Sequence, residues 1–200
     1  IYFTAVVKIT ATIFKIITFL GTCMEYKNIL IIKMSSLGDI IHTLPSVAVL
    51  RKSFPNARLT WLVHPQFGAF VPDPPIIDEV IYFDKVKFTK MSLAEKWSYF
   101  WQMRDLLHSK HFDLVIDMHG LFKSAVLAAI SGCDNRIGYC EMGEGSVFIS
   151  KPITGPHAKD HVIERYLDVV RYLGCTVDEI EFPMPDLRKE WQAVQEKTDV

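Results

Sequence analysis

Residues 28–39, NILIIKMSSLGD, decide how the chain is read. The run from Asn28 to Met34 is apolar almost throughout and lacks the alternation of a half-exposed strand. It therefore predicts a strand covered on both faces. A Ser35-Ser36-Leu37-Gly38 turn follows, and then IIHTLPSVAVLRKSF (40–54) places apolar residues at helical spacing and ends before Pro55. The expected helix begins at Asp39 or just after it, with Asp39 suited to the N-cap. A strand, a Ser/Gly turn and a helix in this order expose backbone N–H groups where an anion or a sugar hydroxyl can be held. The turn carries neither GxxxxGK[ST] nor GxGxxG, so it is neither a Walker A loop nor a dinucleotide fingerprint.

The same alternation continues outward. RLTWLV (58–63), EVIYF (79–83), LVIDM (114–118) and NRIGY (135–139) read as further strands. SLAEKWSYFWQMRDLLHSK (92–110), LFKSAVLAAIS (121–131) and HVIERYLDVVRYLG (161–174) read as helices, with an irregular stretch between Tyr139 and His161. Ser92 with Glu95 three residues on suits a capping box, and Gly174 suits a helix end. Strands alternating with helices predict an α/β fold built on a Rossmann-like, doubly wound parallel sheet. Ligands of such sheets sit beyond the carboxyl ends of the strands. The turns after Met34, Asp117 and Tyr139 are therefore the places where a site is expected.

The 200 residues are half hydrophobic with a net charge of −1, a globular composition rather than a disordered one. So even a balance gives no support for a nucleic-acid binder relying on phosphate contacts. Residues 1–23 stand apart: they are largely apolar and carry Lys8 and Lys15 without an acid. Those lysines interrupt any membrane span, and the segment lacks the form of a signal peptide. It is expected to be extra sequence ahead of Met24, with an interfacial helix as the alternative. Residues 24–177 form the expected domain. Residues 178–200, with seven acids and three bases, read as the start of a linker. Cys23, Cys133, Cys140 and Cys175 have neither metal-ligand spacing nor a disulfide pattern and read as reduced thiols.

Several residues near the strand ends carry possible chemistry. Asp39 is either a helix cap or a general base. His42, three residues on and on the same helical face, either orients it or packs. DMHGLFKS (117–124) brings His119, Gly120 and Lys123 to a second strand–turn–helix junction, with Gly120 suited to a special backbone angle. Arg136 in RIGY can clamp a phosphate or carboxylate, or bridge a surface acid. His161 and Arg165 lie four apart with Glu164 adjacent, as in a salt-bridged helix start. Lys85, Lys87 and Lys90, interleaved with Phe83 and Phe88, form a basic loop that is either solvated or a contact for an anionic acceptor or membrane surface.

Taken in order, KMSSLGDIIHTLP, DLVIDMHGLFKSA, NRIGY and HVIERYLDVVRYLG resemble the lipopolysaccharide heptosyltransferases of glycosyltransferase family nine, heptosyltransferase I above all, from about Lys27 to Gly174. The resemblance implies the N-terminal, acceptor-side domain of a GT-B glycosyltransferase, with a C-terminal donor domain absent from these residues. It implies inverting transfer of heptose from ADP-heptose to the Kdo–lipid A inner core, with Asp39 as catalytic base. Ser35, Ser36 and Gly38 would shape the site, and Lys123 and Arg136 would face the cleft. His119 and Gly120 match a motif in which the family often has Gln where this chain has His119. No cofactor or metal is implied beyond the ADP-heptose donor. The implied location is the cytoplasm, peripherally on the inner membrane, and the 200 residues alone are expected to be inactive. Heptosyltransferase II, another family-nine sugar transferase and a non-enzymatic nucleotide- or anion-binding module are the alternatives.

Overall fold

A computed structural model describes residues 25–188. The opening segment, Cys23 and the end of the acidic tail lie outside the described residues. Six parallel strands, β1 (Asn28–Ile32), β2 (Arg58–Val63), β3 (Glu79–Tyr82), β4 (Leu114–Asp117), β5 (Arg136–Tyr139) and β6 (Lys151–Ile153), form one sheet in the order β3-β2-β1-β4-β5-β6. The helices are α1 (Leu37–Ser53), α2 (Lys85–Lys90), α3 (Leu93–Ser109), α4 (Phe122–Ile130) and α5 (Val162–Tyr172). The expected doubly wound α/β fold is the fold observed.

The continuous apolar runs are explained by the two cores they separate. Ile29 and Ile31 of β1, with Trp61 of β2, face α1 and α5. Leu30 and Ile32 point the other way, toward Met103 and Leu107 of α3 and Leu127 of α4. A strand between two helical layers leaves no face for polar residues.

The structure departs from the sequence reading in several places. The first helix starts at Leu37 and its N-cap is Ser36, so Asp39 occupies the third helical position rather than the cap. Lys85–Lys90, expected as a loop, is a short helix capped by Asp84, whose carboxylate accepts from the backbone N–H of Val86 and Lys87. β5 begins at Arg136. β6 lies in the stretch expected to be irregular. Its Pro152 argues against a strand, but β6 is the edge of the sheet, where a missing N–H breaks no ladder.

The strand order reverses direction between β1 and β4. Their carboxyl ends are level, with Ile32 opposite Asp117. The turns leaving these two strands thus share one crevice, the usual ligand position of this topology.

Candidate functional site

The β1–α1 turn places Asp39 at the crevice. Its Oδ2 accepts from the Ser36 backbone N–H at 2.9 Å and lies 3.3 Å from the Ser36 hydroxyl. The same oxygen stands 3.7 Å from the Lys33 ammonium. Oδ1 makes no hydrogen bond or ion pair among the described residues, and the side chain is 39% exposed. One oxygen is therefore anchored and the other is open. Gly38 is exposed, and a Cβ added there would meet nothing within 4 Å. The turn leaves room beside the carboxylate.

Lys33 sits at the end of the apolar strand with its side chain 4% exposed. Its ammonium donates to the Met118 carbonyl at 3.0 Å and to the Tyr166 hydroxyl at 2.7 Å. Burial pushes its pKa down, and Asp39 and Asp117 oppose that push. Burial also raises the Tyr166 phenol, so it stays protonated. Lys33 ties together β1, the β4 turn, α5 and Asp39. In the sequence Lys33 has no role beyond its place in the deciding string, and Tyr166 carries no local signal. The available signal was a cation placed where both-face burial was expected, a position that requires a partner.

The second turn is organised by Asp117. Its carboxylate accepts from the backbone N–H of His119 and Gly120 and from the Ser124 hydroxyl. Gly120 has φ +69°, and a Cβ there would lie 2.7 Å from the Tyr139 ring. Its carbonyl accepts from Gly143 and Ser146. Gly120 is buried and shapes the turn by packing against the Tyr139 ring. His119 is largely buried, its Nδ1 lacks a partner, and its pKa is lowered to about 4 by desolvation first and by Lys33 second. The ring is neutral near pH 7 and can accept a hydrogen bond. His119, Ser35, Lys85, Lys123 and Glu144 line a cavity of about 140 Å³ beside the crevice.

Ser35, Ser36, Gly38, Asp39, His119 and Lys123 are therefore brought together. Arg136 is not. It opens β5 at the amino end of the strand, opposite to the crevice, and its guanidinium donates to the carbonyls of Ile149 and Cys133. The expectation that it faces the cleft is corrected by strand direction: only the last residues of a parallel strand reach the ligand edge. His42 packs edge-on against His161, with ring centroids 5.2 Å apart, rather than holding Asp39. Arg165 pairs with Glu141, and Glu164 with Arg171.

These features define a doubly wound α/β domain whose switch-point crevice presents one open carboxylate oxygen beside buried and exposed cations. The chain belongs to glycosyltransferase family 9 (heptosyltransferase), whose model matches residues 100–199, half of the chain. Lipopolysaccharide heptosyltransferase 1 of Escherichia coli O18:K1:H7 (strain RS218 / NMEC) is 33% identical over 105 residues, 50% of this chain and 31% of that protein. The lipopolysaccharide core heptosyltransferase OpsX of Haemophilus influenzae is 26% identical over 151 residues, 74% of this chain and 41% of that protein. The crystal structure of the family 9 glycosyl transferase from Veillonella parvula shares the fold with a TM-score of 0.67 at 22% identity, covering 90% of this chain and 51% of that one. E. coli heptosyltransferase WaaC with ADP-2-deoxy-2-fluoro heptose gives 0.64 at 25% identity, covering 78% and 51%. The chain spans about half the length of these solved structures and less of the curated relatives.

Proposed function

We propose that this chain is the acceptor-side half of an inverting heptosyltransferase, which moves heptose from ADP-heptose to the Kdo–lipid A inner core with Asp39 as general base. The observation that carries the reading is the asymmetry of Asp39: Oδ2 is held by Ser36 and lies near Lys33, and Oδ1 makes no hydrogen bond or ion pair among the described residues in a part-exposed side chain. The match to relatives named lipopolysaccharide heptosyltransferase 1 supports the substrate class, and the neighbour crystallised with an ADP-heptose analogue supports the donor.

In the reaction the acceptor hydroxyl oxygen attacks the anomeric carbon of heptose. The bond from that carbon to the ADP phosphate oxygen breaks, and ADP departs with the electron pair. The acceptor proton passes to Asp39 Oδ1. Anchoring Oδ2 fixes the carboxylate in one orientation, which is how a positioned base gains its typical 10²–10⁴-fold. Lys33 is a positioning residue, fixed by Met118 and Tyr166 so that Asp39 has a stationary neighbour. Lys123 and Lys85 offer cations to an anionic acceptor at the cavity beside it.

The reading places the enzyme in the cytoplasm, on the inner face of the membrane that holds its acceptor. No helix among the described residues is long and apolar enough to cross a membrane. The test is heptose transfer by the full-length protein from ADP-heptose to Kdo–lipid A, compared with other nucleotide-sugar donors. Transfer that requires ADP-heptose is the expected result, and transfer of a different sugar in its place overturns the assignment.

A further inference from the structure

The long helix α3 buries only Met103 and Leu107 of its 17 residues. Its apolar side chains continue around to solvent: Leu93 is 85% exposed, Trp97 65% and Trp101 41%. With Phe100 these residues form one stripe at helical spacing, and their rings contact one another, Trp97 to Trp101 at 5.7 Å and Trp97 to Phe100 at 6.4 Å. Phe122, 54% exposed at the start of α4, extends the patch across an apolar groove of about 220 Å³ between the two helices. No described residue covers this stripe.

We propose that this face of α3, with α2 and the start of α4, is the surface by which the protein lies on an anionic lipid bilayer. Charge decides the occupant. Residues 83–105 hold five cations (Lys85, Lys87, Lys90, Lys96 and Arg104) against three carboxylates, in a chain whose net charge is −1. All three carboxylates are engaged: Asp84 caps α2, Glu95 accepts from the Ser92 N–H, and Asp105 pairs with Arg104. Lys96 and Arg104 lie over aromatic rings at the patch, 6.0 Å from Phe88 and 5.3 Å from Trp101. An aromatic centre ringed by cations matches the depth profile of a bilayer interface, with rings at the acyl boundary and cations at phosphates. A second copy in a two-fold contact would instead set one positive face against another.

The surface also adjoins the site. Phe83 and Phe122 follow the carboxyl ends of β3 and β4, and Lys123 lines both the apolar groove and the cavity shared by Ser35 and His119. The link from surface to Asp39 rests on the proposed lipid-borne acceptor; the surface itself does not.

The test is co-sedimentation of the full-length protein with phosphatidylcholine vesicles, with and without phosphatidylglycerol, at low and high salt. No donor or acceptor is added, so the result is independent of transfer. The wild type is expected to sediment with anionic vesicles and to be released by salt. Combined Lys87→Gln, Lys90→Gln and Lys96→Gln should weaken binding roughly fivefold per lysine. Combined Leu93→Gln, Trp97→Gln and Trp101→Gln should abolish it with the circular-dichroism spectrum unchanged, whereas Lys159→Gln, outside the patch, should bind as the wild type does. Binding that survives both triple variants, or no binding at all, overturns the proposal. So does a dimer in analytical ultracentrifugation that the tryptophan variants dissociate, since the patch then belongs to a second copy. Vesicle binding without any heptose transfer would contradict the proposed function and leave this surface standing.

Discussion

Lys33 shows how a single buried charge organises this site. Its ammonium donates to Met118 and Tyr166 and stands beside Asp39, so removing it takes a donor from the Met118 carbonyl and the Tyr166 hydroxyl and the neighbouring cation from Asp39. Lys33→Met is expected to lower stability by about 1–3 kcal/mol, measured by urea denaturation, and to reduce kcat for transfer more than donor binding. Gly38 gives a cleaner separation of fold from function. Its Cβ direction is empty and its backbone is helical, so Gly38→Ala should raise stability by about 0.5–1 kcal/mol. If the open space admits substrate, the same variant should lose transfer activity. His119 sets a pH dependence. Its folded pKa of about 4 lies below the ordinary value of 6.5. Between these values the unfolded chain binds the proton and the folded one does not, so stability is full above about 6.5 and is lost as pH falls toward 4. His119→Gln should flatten that decline in thermal unfolding followed from pH 7 to 4.5.

At the scale of elements, the turn after β4 depends on one residue with no slack. Gly120 combines φ +69° with contact on the Tyr139 ring, so Gly120→Ala should cost about 1–3 kcal/mol, read as a lower denaturation midpoint. Most elements were legible in the sequence because burial on both faces gives unbroken apolar runs, as in β1 and β2. The elements that were missed had weak local signals. Lys85–Lys90 has the composition of a loop, and only the cap by Asp84 and the packing of Phe88 against Phe83 and Tyr99 make it helical. β6 owes its existence to pairing with β5, a long-range contact that three residues with a central proline cannot announce. The candidate site divides along the same line. Ser35, Ser36, Gly38, Asp39, His119 and Lys123 lie together because they belong to two strand–turn–helix junctions, which are local in sequence. Arg136 was misplaced because the end of the strand that a residue occupies depends on where the strand begins. Tyr166 was missed because its partner Lys33 is 133 positions away.

At the scale of the molecule, the order β3-β2-β1-β4-β5-β6 puts the two informative turns side by side at the carboxyl ends of β1 and β4. The chain spans about half of its solved relatives, and an inverting transfer needs a donor site as well as a base. On the proposed reading of this chain as the acceptor-side half, the 200 residues alone are expected to show no heptose transfer, and a turnover signal from them would refute that division of labour. The most direct measurement compares Asp39→Asn with the wild type in the full-length protein, following both ADP-heptose binding and heptose transfer. The account predicts donor affinity within about twofold and a loss of turnover of at least 10²-fold. Near-normal turnover by Asp39→Asn would contradict it.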